Sequence, residues 1–415
     1  MFVPFVRGQP VMTVRLLRLA ACFVVMPYAG TAQDAQPRSD LMTFAQGVLP
    51  VSVETGPEQM RTGSPQAIAA IDGNAGGFGM TPKPGSAQAQ VTIIYALPSL
   101  TRFDRLAVPN IGETPSPSQT FFRDIVISGA VEGPDGPYIP IAGGTLATHA
   151  DPGLVTELAM EDAVPEVLWL KVLLSGGINV ERDKTYFEFS ELIGEGTQQP
   201  MPMSEGFTGT WKGRGVSIEL LQEGAHVTGC YDKTGTLSGT VDGRVLRALG
   251  SDPAGIPSQF ILIASADGAM RGLRSTNGAP FKPYDGEPAA GAVVCARPEP
   301  APPGCGAVLH GIGFNYDSAA IRPESAVLLN ALADGLRGTD AARIEIVGHS
   351  SSEGAAEYNR ALSQRRAASV VAALVDMGLA ADRLAALGKG EDEPIASNAD
   401  EAGRSLNRRV EVHCR

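Results

Sequence analysis

Residues 348–367 read GHSSSEGAAEYNRALSQRRA, a tight polar turn feeding directly into an amphipathic helix. Asn359, Leu362, Ser363 and Arg366 recur at spacings of three and four, and at about 100° per residue this puts them on one helical stripe. Arg366 is thereby aimed back over the turn. The N–H groups of a first helical turn favour an anionic or strongly polar group, and a guanidinium offers a planar fork to a carboxylate. Turn and arginine together predict a shallow site the size of a small zwitterion. Outward from it, the pattern predicts a strand near 308–313, a helix opened by Pro323, a strand at 343–347, a helix over 355–377 that stops before Gly378, and strands near 383–387 and 409–413. Ala367, Val370, Val371 and Leu374 form the face that packs on the sheet, so the expected layering is an α/β sandwich.

The pieces Phe314-Asn315-Tyr316-Asp317-Ser318, Gly348-His349-Ser350-Ser351, the run from Tyr358 to Ala367, and Gly403-Arg404-Ser405-Leu406-Asn407-Arg408-Arg409-Val410-Glu411 stand in an order and spacing that resembles the OmpA-like domain ending many Gram-negative envelope proteins. The likeness covers about residues 306–415. It implies non-covalent binding of peptidoglycan through the diaminopimelate of its stem peptide, with Tyr316, Asp317, Ser318, Ser351, Asn359, Leu362 and Arg366 as the binding set. Where that family usually carries an aspartate to meet the ligand's ammonium, this chain has Ser351, and Glu353 is the candidate substitute acid. Asn359 is expected to order the turn, and Arg408 and Arg409 to form a structural, solvated pair. Ser350 beside His349 begins like a nucleophile elbow, but Ser352 stands where the final glycine belongs and the histidine is adjacent in sequence, the wrong geometry for a base, so no enzyme activity is expected.

The whole chain has 415 residues, too many for one ordinary core. Its 49 Gly, 31 Pro and 19% charged residues favour turns and β-structure over long solvated helices. A net charge of −12 without a basic run argues against a nucleic-acid partner. The first 32 residues, with Arg15 and Arg18 before the apolar run Leu19–Met26 and small residues at Gly30 and Ala32, predict a secretory signal peptide whose true start is Met1 or Met12. A polar tail follows over 33–40. No other segment approaches the roughly 18 apolar residues of a membrane span. The expected location is the periplasm, associated with the cell wall or outer membrane.

Four cysteines remain beyond the leader, and pairing Cys230 with Cys295 and Cys305 with Cys414, each within one domain, is the simplest of three connectivities. Their spacing and that of the histidines offer no metal site, and no cofactor is expected.

Residues 41–197 carry short β-type runs at 91–97, 105–108, 121–131, 167–174 and 186–189, split by Gly, Pro, Asn and Asp, which predicts a β-sandwich. Ala69-Ala70-Ile71-Asp72-Gly73-Asn74 with the two following runs resembles the discoidin or galactose-binding-like jelly roll, which implies a glycan-holding loop, with 110–119 the candidate. A linker is expected over 198–205. Residues 206–297 predict a small antiparallel barrel or meander with runs at 216–221, 225–231, 235–241, 245–249 and 259–263; Gly209-Thr210-Trp211 resembles the G-x-W of lipocalins, yet about ninety residues are expected to be too few for eight strands. Trp211 is expected to anchor the core. A Pro-rich linker at 298–304 precedes the last domain, 305–415. The expected function is non-catalytic peptidoglycan binding, with the β domains presenting a second surface to a glycan or an envelope protein. The rivals are a structural or protein-interaction module that has lost wall binding through Ser351, and a carbohydrate-binding adhesin.

Overall fold

The computed structural model describes residues 40–55, 60–61, 64–75, 78–82, 90–110, 120–147, 154–178, 187–290, 295, 303–315 and 317–415. The expected leader, most of the polar tail, the candidate loop 110–119 save Asn110, Tyr316 and most of the linker 298–304 lie outside them.

The N-terminal region is built on strands β1 (Leu49–Thr55), β2 (Met60–Arg61), β3 (Phe78–Pro82), β4 (Gln90–Pro109), β5 (Thr120–Ala130), β6 (Ile139–Thr145), β7 (Val155–Glu157), β8 (Ala159–Met160), β9 (Val167–Ile178), β10 (Phe187–Phe189) and β11 (Ile193–Gln198), with a short helix α1 (Ser64–Ala69). They form one unclosed 11-stranded sheet in the order β1-β4-β9-β5-β10-β3-β2, with β6, β7, β8 and β11 pairing off that path. Two of the predicted runs, 91–97 and 105–108, are one strand, β4. Its ladder to β9 shifts register between Ala96 and Thr101, around Pro98, which has no N–H to donate. Beyond that point β4 takes β11 as partner.

The middle region corrects the expected strand count. β12 (Gly209–Gly213), β13 (Val216–Glu223), β14 (His226–Tyr231), β15 (Gly235–Asp242), β16 (Val245–Ser251), β17 (Pro257–Ala264), β18 (Met270–Thr276) and β19 (Lys282–Pro288) close into a barrel of eight strands. Short strands joined by tight turns make eight fit. Trp211 is buried, at 5% exposure, and donates from Nε1 to Gly268 O at 2.9 Å. The barrel wall is apolar on both faces along β16 and β17: Leu246, Ala248, Phe260 and Leu262 fill the interior, while Val245, Ile261 and Ile263 join the core of the N-terminal sheet. Alternation of side chains across a strand accounts for this double use.

The last region packs α2 (Ala326–Arg337) and α3 (Ala356–Asp376) on a sheet of β20 (Val308–Leu309), β21 (Ile344–His349), β22 (Leu384–Gly390) and β23 (Val410–Cys414), ordered β20-β23-β21-β22. Pro323 opens a short 3₁₀ turn ahead of α2, and Gly378, with φ +94°, follows the end of α3. A helix the pattern did not predict, α4 (Glu401–Asn407), sits between β22 and β23, capped by Asp400 Oδ1 accepting from Gly403 N at 2.7 Å. Cys230 is bonded to Cys295 and Cys305 to Cys414, with Cα–Cα separations of 5.9 and 5.4 Å.

Residues Arg38–Arg415 form one compact unit. Segment 198–205 is no free linker: Gln199 N donates to Leu100 O at 2.9 Å, and Ser204 N to Gly243 O at 2.7 Å. Among the described residues no helix is long and apolar enough to cross a membrane.

Candidate functional site

The site is assembled where α3 lies across the ends of β21 and β22. Helix and sheet approach at glycines: a Cβ at Gly348 would lie 2.5 Å from Ser363 O, and one at Gly388 would lie 2.3 Å from Gln364 N. Side chains of the helix then serve the strand: Ser363 Oγ accepts from Gly390 N at 2.9 Å, and Gln364 Oε1 from Gly388 N at 2.7 Å. Leu362, at 7% exposure, and Ser363, at 1%, are both buried.

The turn between β21 and α3 is tied down by Asn359. Its Nδ2 donates to Ser351 O at 3.3 Å, Glu353 O at 2.9 Å and Glu391 Oε2 at 2.6 Å. The first residue ahead of α3, Ala355, provides no side-chain cap. Ser351 is buried, and its Oγ donates to Glu353 Oε2 at 3.1 Å. Serine and glutamate thus share one edge of the turn.

Arg366 faces the segment ahead of α2. Its Nε donates to Ser318 O at 3.0 Å, and its guanidinium carbon stands 5.0 Å from the centroid of the Phe314 ring. Among the described residues its terminal nitrogens carry no hydrogen bond. Burial, with Arg408 adding to it, lowers its pKa to about 10, while Asp317 opposes the shift. The side chain therefore stays a cation, poorly solvated and short of acceptors. Asp317 is exposed at φ +49°, in a turn where Ser318 N donates to Asn315 O at 3.1 Å.

Glu353 is shared beyond Ser351: Arg408 Nη1 lies 3.4 Å from Oε2, and Arg404 Nε 3.6 Å from Oε1. Both arginines also engage Glu401, which is buried; burial works to raise its carboxyl pKa, and Arg408 and Arg404 outweigh that and hold it below the usual range. Arg409 corrects an expectation. It is not solvated but buried, at 5% exposure, pairing with Glu411 at 2.6 Å and donating to Glu393 O at 3.0 Å. Sequence reasoning missed Glu401, Arg404 and Glu391; a helix capped by Asp400 was the available signal for the first two.

His349 is buried, and burial together with Arg409 lowers its pKa to about 4, against the pull of Glu411. Among the described residues, neither of its ring nitrogens nor Ser350 Oγ has a hydrogen-bond partner, so the two side chains do not bond each other.

Residues 313–408 match the model of the OmpA family. Over 101 residues the chain is 44% identical to outer membrane porin F of Pseudomonas fluorescens, covering 24% of this chain and 31% of that protein. It is 42% identical over 101 residues to the peptidoglycan-binding protein ArfA of Mycobacterium tuberculosis, with the same coverage of 24% and 31%. To the peptidoglycan-associated lipoprotein of Pseudomonas aeruginosa it is 37% identical over 99 residues, 24% of this chain and 58% of that one. Among solved structures, the peptidoglycan-associated lipoprotein from Burkholderia pseudomallei is 32% identical, with 25% of this chain and 88% of that chain covered and a TM-score of 0.24. The chain thus spans 31% to 58% of the length of these curated relatives, in its C-terminal region.

Proposed function

We propose that this protein is a non-catalytic component of the bacterial cell envelope that binds peptidoglycan through its C-terminal domain, in the periplasm and associated with the wall or outer membrane. The family match and the peptidoglycan-binding names of relatives support the coarse reading. The finer reading is that the ligand is the diaminopimelate of the stem peptide. Arg366 takes the carboxylate through its terminal nitrogens, and Glu353, held by Ser351, meets the ammonium. The observation that carries this is the half-buried Arg366 guanidinium, fixed through Nε and, among the described residues, left without acceptors at its outer end. The N-terminal sheet and the barrel present a second surface in this reading, to a glycan or another envelope protein.

The test is co-sedimentation of the full-length protein with purified sacculi. Wild type is expected to pellet and Arg366→Ala to remain in the supernatant, since loss of a charge-assisted pair removes about 1.5–3 kcal/mol from a shallow site. Equal pelleting of the two would show that Arg366 is a scaffold residue and that this domain holds the wall, if at all, by other groups.

A further inference from the structure

Helix α4 is where the N-terminal sheet touches the last domain. Ala402 and Leu406 are buried in the same core as Met42, Phe44 and Ile71. The turn at Gly73, with φ +78°, sits so close on Glu401 that a Cβ there would lie 2.2 Å from Glu401 Cβ. Only glycine fits that approach. On its other side Glu401 engages Arg404, at 3.0 Å, and Arg408, the two arginines that also reach Glu353. The sharing is unequal. Glu401, with 9% of its side chain exposed, has the close contacts; Glu353, with 48% exposed, has those of 3.4 and 3.6 Å.

We infer that Glu401 is a positioning residue that sets the ligand preference of the wall site. By drawing Arg404 and Arg408 onto itself, it leaves Glu353 as an exposed carboxylate able to meet an ammonium, and the Gly73 turn of the N-terminal sheet holds it there. Without the charge of Glu401, Arg404 and Arg408 fall to Glu353 alone, beside Arg366, and Asp317 is the other acid facing that arginine. Such a site prefers a plain dicarboxylate to a zwitterion. This role rests on the proposed wall binding, and it makes a distant domain part of the site's selectivity.

The experiment is displacement of full-length protein from purified sacculi by free meso-diaminopimelate or by pimelate, the same chain without amino groups. Wild type is expected to prefer diaminopimelate. Glu401→Gln should reduce that preference about fivefold, the order expected for loss of one unit charge near a half-exposed site. Arg404→Gln, which removes a cation instead, should raise it. Loss of structure alone would lower binding in both variants, so the opposite signs are the signature, and if Glu401→Gln does not fold the rise in Arg404→Gln still decides. Unchanged preference in Glu401→Gln, or a fall in Arg404→Gln, overturns the role of Glu401 while leaving wall binding intact. Failure of the wild type to be retained on sacculi defeats the wall-binding reading and this role with it.

Discussion

Ser351 Oγ and the Glu353 carboxylate, 3.1 Å apart, occupy between them the place expected of one acidic side chain. This geometry changes what a restoring substitution should do. Ser351→Asp alone sets a second carboxylate against Glu353, and like charges that close oppose each other's ionisation. Retention on sacculi should therefore rise little in Ser351→Asp and fall in Glu353→Ala. In the double variant it should return to about the wild-type level, because one carboxylate then stands in for the other at that edge. A full gain from Ser351→Asp alone would mean that Glu353 takes no part. At this scale helical spacing was informative in part: it put Asn359, Ser363 and Arg366 on one stripe, and Asn359 bonds the turn after β21 and Ser363 the strand β22, while Arg366 bonds Ser318 O ahead of α2. Arg409 was misjudged because its partner Glu411 lies two residues on along β23, the same face of a strand, a period that a pair of adjacent arginines disguises. The burial of Glu401 was out of reach, since what buries it, the turn at Gly73, is far earlier in the chain.

Among the elements, the approach of α3 to β22 depends on Gly388. Gly388→Ala must push the helix off the strand, because the new Cβ would meet Gln364 backbone N at 2.3 Å. The expected cost is about 1–3 kcal/mol, as for overpacking elsewhere, read as a lower melting temperature, and with it weaker retention on sacculi, since α3 carries both Asn359 and Arg366. An unchanged melting curve would contradict the contact. Helices α2 and α3 and the central strands of this domain were legible from periodicity and from Pro323 and Gly378, whereas α4 was not. In the barrel, β13 to β17 were legible as apolar runs, whereas β12, β18 and β19 were not. β19 reads KPYDGEP, with two prolines and Tyr284 as its apolar anchor. That side chain lies against Gly213 and Gly286, where a Cβ would come 2.5 Å from the ring and 2.5 Å from its hydroxyl, respectively, so the barrel closes by glycine making room for one aromatic. Such pairing across distant residues leaves no local period.

At the level of the molecule, composition suggested beads on linkers, and the regions instead share cores. Arg244 of the barrel donates from Nε to Gly47 O and from Nη2 to Ala96 O, the latter at 2.6 Å, and burial lowers its pKa to about 10. Arg247 likewise donates to Ala45 O. Backbone carbonyls of the N-terminal region are the acceptors, and a carbonyl carries no residue identity, which is why the docking was not legible. Full-length protein should unfold in one cooperative calorimetric transition, and Arg244→Met, which strips donors from two buried carbonyls, should separate it into two. Two transitions in the wild type would restore the picture of independent domains.

The bond between Cys305 and Cys414 gains a mechanical meaning under the wall-bound reading. It joins the point where the chain enters the last domain to the end of β23, an inner strand, whereas β20 is an edge strand held by two residue pairs. Tension arriving at residue 305 from the rest of the protein bypasses β20 through the covalent link and is borne by the ladder between β23 and β21, five pairs long. Reduced, the same pull would peel β20 from its edge first; oxidised, the anchor is fastened at the middle of its sheet.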